Sequence, residues 1–156
     1  RITERCAPAA AFLGCKASAQ PVLAGMDEVA FTALSASIAS EDLRARWAAV
    51  RAGNFPDEQL ADSVTKVTDA AKMVEDQLAD GREWLMGDLT IADFETYGWL
   101  AGMVDLVPDA FAGKDRLSGW LARVAARPSV QAALARASVP NPQSSWAPGP
   151  EINRWG

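Results

Sequence analysis

The chain has 156 residues, 49% hydrophobic and 22% charged, with a net charge of −5 and a pI near 4.7. That size and balance fit one globular domain with a real core. The acidic balance argues against nucleic acid or an anionic membrane as partner, since both need a basic footprint, and no apolar run approaches the ~18–20 residues that span a bilayer.

The first residues carry no charged-then-apolar leader, and the chain opens on Arg1, as a fragment, a processed form or one domain of a longer protein would. The two cysteines, Cys6 and Cys15, match no zinc or redox spacing. They read as reduced thiols of a cytoplasmic protein, with a disulfide or a reactive thiol as alternatives. Alanine is abundant and alternating β-branched runs are missing, so helical periodicity sets the fold class as all-α.

From Pro21 to Ala52 the apolar positions predict one kinked helix or two, the second capped at Ser40. Arg44, Arg46 and Arg51, diluted by Glu41 and Asp42, read as a solvated helix face. Gly53–Pro56 is a turn. Leu60, Val64, Val67, Ala71, Val74 and Leu78 form one stripe of a helix over Asp57–Asp80, which Gly81 closes as a left-handed cap. Thr90 to about Val104 is apolar on nearly every side and is expected at the centre of a five- to six-helix bundle. Leu117, Trp120, Leu121 and Val124 face inward from a helix over Asp115–Ala126, and a short helix follows over Ser129–Arg136. The segment 138–156 holds four prolines in 19 residues and is expected to be irregular, tied down by Trp146, Ile152 and Trp155. Trp84, Trp99 and Trp120 fit core positions; Trp47, Trp146 and Trp155 are candidates for partial exposure at an interface.

The stretch WLMGDLTIADF raises one chemical question, because Asp93 lies in an apolar run. With Thr90 as N-cap, Asp93 is the third helical residue. Hydroxyl and carboxylate can then each take a backbone N–H of the other, a reciprocal capping box with Asp in place of Glu. The rival role for Asp93, a general base, lacks a partner. The chain has no histidine, which removes Ser-His-Asp and Cys-His catalysis and imidazole metal sites. Tyr97, the one tyrosine, reads as a core residue with its hydroxyl satisfied.

Gly87, Asp88, Thr90, Ile91, Ala92 and Asp93, followed by Leu117, Trp120, Arg123, Arg127, Pro128 and Val130, resemble the C-terminal helical domain of cytosolic glutathione transferases. The resemblance is good over 57–137. It implies a division into 1–19 (the end of a preceding domain or a linker), a helical domain over 20–137 and a tail over 138–156. It also implies a thioredoxin-like N-terminal partner domain, which would bind glutathione as co-substrate and hold the thiol-activating residue. No catalytic residue of the family carries over to this chain, and no metal is implied. The helical half would supply one wall of a pocket for a small hydrophobic substrate and part of a homodimer interface. By that analogy Met26, Ala30, Phe31, Leu34 and Trp146 are substrate-pocket candidates, although an apolar stripe at helical spacing is more often core or cover. Related helical domains also act as non-catalytic assembly modules, and that is the second reading; a stand-alone bundle is the third.

Overall fold

The computed structural model describes residues 2–148 and is helical throughout, with no strand among them. Helix α1 (Ile2–Gly14) continues through one wide π turn at Cys15–Ala19 into α2 (Gln20–Ala24), making a single rod. The wide turn lies just upstream of Pro21, which has no N–H to give to an i−4 carbonyl. After a break at Gly25–Asp27 come α3 (Glu28–Ala36) and α4 (Glu41–Arg51), then the longest helix, α5 (Asp57–Gln77). The loop 78–90 leads to α6 (Ile91–Leu100), which tightens into a 3₁₀ turn at Ala101–Met103. Helices α7 (Pro108–Phe111), α8 (Asp115–Ala125) and α9 (Pro128–Leu134) complete the bundle, and a 3₁₀ turn at Pro142–Ser144 shapes the tail.

The main seam joins α1 to α5. Cys6, Ala9 and Ala10 of α1 are buried in one cluster with Val67, Ala70, Ala71 and Val74 of α5. These residues are small, so the two backbones approach closely and exclude water. Leu117, Trp120 and Val124 of α8 and Leu100 and Met103 of α6 and its 3₁₀ turn close the same cluster. A second, smaller cluster holds Cys15, Ala19, Leu23 and Phe31, with Met26, Leu34, Trp47, Val50 and Phe55 packed on it.

The α1–α2 rod supplies a wall of both clusters. Two expectations change. The centre of the bundle is the α1–α5 seam. Helix α6 packs beside it and leaves Ile91 78% exposed. On α5, Val64 is partly exposed while Ser63 is buried, because the contact face follows the crossing of α1 rather than a straight stripe.

Other expectations are met. Ser40 caps α4 by accepting from the Leu43 N–H at 3.3 Å. Gly81 takes φ +85° after α5, a conformation that costs a side chain-bearing residue strain. Among its described residues, 138–148, the tail has no helix beyond its single turn, and Trp146 fastens it; Ile152 and Trp155 lie outside the described residues. Among the described residues no helix is long and apolar enough to cross a membrane.

Candidate functional site

Two places carry the side chains singled out by sequence. The first is the start of α6. Thr90 Oγ1 accepts from the Ala92 N–H at 3.3 Å, and Asp93 Oδ2 accepts from the Thr90 N–H at 3.0 Å, completing the capping box. Asp93 Oδ1 accepts from two more donors, the Leu85 N–H at 3.0 Å and the Trp120 indole N–H at 2.9 Å. Asp93 is fully buried, and three N–H donors from the loop, the cap and α8 converge on it. Its place at the positive end of α6 adds to their effect. The carboxylate is therefore a structural hub, its lone pairs occupied by the fold itself.

The loop 78–90 is held from outside as well. Gln77 donates to the Leu85 carbonyl at 2.9 Å, Arg123 donates to the Glu83 carbonyl at 3.0 Å, and the Arg123 and Arg127 guanidiniums lie about 6 Å from the centre of the Trp84 ring. Asp88 is exposed at the loop's end.

The second place is the junction of α2, α3 and α4. Asp27 caps α3, accepting from the Ala30 N–H at 2.8 Å. Arg51 reaches back from α4 to Glu28 at 2.8 Å and to the Met26 carbonyl at 3.1 Å, with its guanidinium 4.3 Å from the centre of the Phe31 ring. Arg44 donates to the Ile38 carbonyl at 2.6 Å, closing the α3–α4 connection. These arginines, read from sequence as a solvated face, tie the two helices together. Outside them runs an open groove of about 330 Å³ lined by Glu28, Phe31, Thr32, Ser35, Ala36 and Arg44.

Of the five pocket candidates, Met26, Phe31, Leu34 and Trp146 meet in the second cluster, and Ala30 is exposed on α3. Phe31 alone of them lines the groove. Thr32, Ser35 and Arg44 were missed; they lie on the polar side of α3 and α4, and only the packing of the two helices brings them to one wall.

Burial pushes the thiols of Cys6 and Cys15 up to about 11, which keeps them protonated. Burial also raises the Tyr97 hydroxyl, the direction opposite to that of an activated phenol. Among the described residues no group of three His, Cys, Asp or Glu side chains is placed to hold a metal.

The family model described as "Glutathione S-transferase, C-terminal domain" matches residues 28–128, so the chain belongs to that family. No curated protein and no solved structure gives a significant match. The matched span opens at α3 and ends at the start of α9. Helices α1 and α2 and the tail lie outside it, although α1 supplies a wall of the main core.

Proposed function

We propose that this chain is the helical half of a glutathione transferase-like enzyme. The family match over 28–128 is the observation that carries this reading. A thioredoxin-like domain would bind glutathione and activate its thiol. The thiolate sulfur would then form a C–S bond to an electrophilic carbon as a leaving group departs, or attack the electrophilic atom of a reducible substrate, a second glutathione then attacking the first sulfur so that glutathione disulfide forms and the reduced product leaves. This chain would contribute substrate fit and water exclusion. The groove beside Phe31 is open and carries Glu28 and Arg44 as well as the hydroxyls of Thr32 and Ser35, so it would take a small electrophile with an apolar face and a polar substituent. In this reading the protein is a cytoplasmic homodimer.

The test uses the chain joined to the residues encoded upstream of Arg1. Conjugation of glutathione to an activated aryl halide is expected. Phe31→Ala should raise KM for the halide severalfold and leave KM for glutathione unchanged. A longer protein that neither binds glutathione nor conjugates it defeats the enzyme reading.

A second reading, a non-catalytic assembly module, draws support from Val22 and Val29. They stand 63% and 81% exposed on α2 and α3, and in this reading a partner would cover them. Failure of conjugation together with a stable complex in sedimentation would favour it.

A further inference from the structure

The tail crosses the bundle at two glycines. A Cβ on Gly14 would come within 2.1 Å of the Trp146 ring, and one on Gly102 within 1.9 Å of the Gln143 carbonyl oxygen and 3.2 Å of the Trp146 indole nitrogen. Neither glycine is needed for its backbone: Gly14 has φ −64°, and Gly102 lies in the 3₁₀ turn after α6 with no left-handed φ. At helical positions glycine is less favourable than alanine. What these two provide is the space of a missing methyl, and the tail fills it.

The seat is shaped for a plug. The Trp146 ring stacks on Trp99 with centroids 5.9 Å apart at 29°, and it packs against both core clusters. The polar hold on Trp146 is slight. Ser18 Oγ accepts from the Trp146 N–H at 2.9 Å and can donate to its carbonyl at 3.1 Å. The Trp146 indole N–H is buried without an acceptor. Docking therefore strips water from a donor and gives nothing back, whereas release rehydrates it. The remaining hydrogen bonds of the segment run within its own turn, Ser144 N–H to Asn141 O and Ser145 N–H to Pro142 O, and survive release.

We propose that residues 141–148 form a latch that opens while the helical bundle stays folded, and that opening admits solvent to the second cluster, where Cys15 lies. Local opening of this kind is expected where apolar fit is opposed by an unpaired polar group and few contacts span the joint. Cys15 follows Gly14 directly, is 5% exposed, and belongs to the cluster that Trp146 covers. Cys6 is fully buried in the first cluster against α5, eight residues before Gly14 along α1 and so about 12 Å away by helical rise, and it reports unfolding of the bundle.

The experiment labels the unmodified 156-residue chain with an aromatic disulfide reagent over a urea series and resolves the two thiols by peptide mapping. Cys15 should react at least roughly tenfold faster than Cys6 in low urea, with a rate that hardly changes with urea, whereas the Cys6 rate should climb with it. Gly102→Ala adds one methyl under the tail and removes no core side chain. It should speed Cys15 labelling about another tenfold and leave Cys6 as it was, and Trp146→Ala should do the same more strongly. Equal rates with equal urea dependence at both thiols would overturn the latch. So would a Gly102→Ala chain in which Cys15 is no faster, or one in which both thiols speed up together.

Discussion

Asp93 shows how a single side chain earns its position. Its carboxylate accepts from the Thr90 and Leu85 N–H groups and from the Trp120 indole, so removing it leaves three buried donors without an acceptor. Asp93→Ala is expected to cost at least about 3 kcal/mol in urea denaturation. Asp88→Ala, at an exposed loop position, should stay within about 0.5 kcal/mol. Asp93→Asn should fall between, because an amide that accepts from Leu85 and Trp120 must turn its NH₂ toward the Thr90 N–H. Trp120→Phe removes one donor and leaves a small cavity where the second ring was, and about 2–3 kcal/mol should be lost. Equal small effects for Asp93 and Asp88 would sink the assignment. Thr90 and Asp93 were legible because a capping box is a local pattern of fixed spacing. Trp120 was not legible as their partner, since it lies 27 residues away in sequence and reaches Asp93 only after α8 docks.

At the scale of elements, three helix starts carry a side-chain cap of their own and that of α8 is capped by a neighbour. Asp27, Ser40 and Thr90 cap α3, α4 and α6 with their own side chains. Helix α8 begins at Lys114 with no side-chain cap of its own, and Glu75 of α5 takes that role, accepting from the Leu117 N–H at 2.8 Å and from Arg116 at 3.0 Å. The Glu75 side chain is only 15% exposed. Glu75→Ala should therefore cost about 1–2 kcal/mol. Arg116→Ala, which removes the exposed end of the pair, should cost under about 1 kcal/mol; urea denaturation of both variants checks the contrast. Helix α1 was the element least legible. Its buried positions are mostly alanine and cysteine, and Pro8 interrupts the pattern, so hydrophobicity alone marks it weakly. Its worth comes from fit against α5, where small side chains allow close approach.

Across the whole molecule, two buried thiols make stability sensitive to alkali. Cys6 and Cys15 have folded-state values near 11, above the ordinary 9.0, because burial disfavours the thiolate. A value raised in the folded state gives stability that is complete below pH 9.0 and is lost as pH rises toward about 11. The urea midpoint of the chain should therefore fall between pH 9 and 11. Replacing both cysteines by alanine should flatten that fall, whatever it does to the midpoint at pH 7. A fall of unchanged steepness in the double variant would show that other groups cause it.

The amino-acid sequence by itself determined the all-α class, the helix starts at Ser40 and Thr90, the left-handed turn at Gly81 and the family, because caps, turns and periodic stripes are local and their spacing is written in the chain. The tertiary structure alone decided that residues 2–24 belong to the core and that α5 caps α8. It also decided that Trp120 completes the Asp93 site and that Gly14 and Gly102 seat the tail. Each of these joins residues far apart in sequence through shape or a single donor. Such contacts leave no periodic trace, and they exist only once the helices have packed.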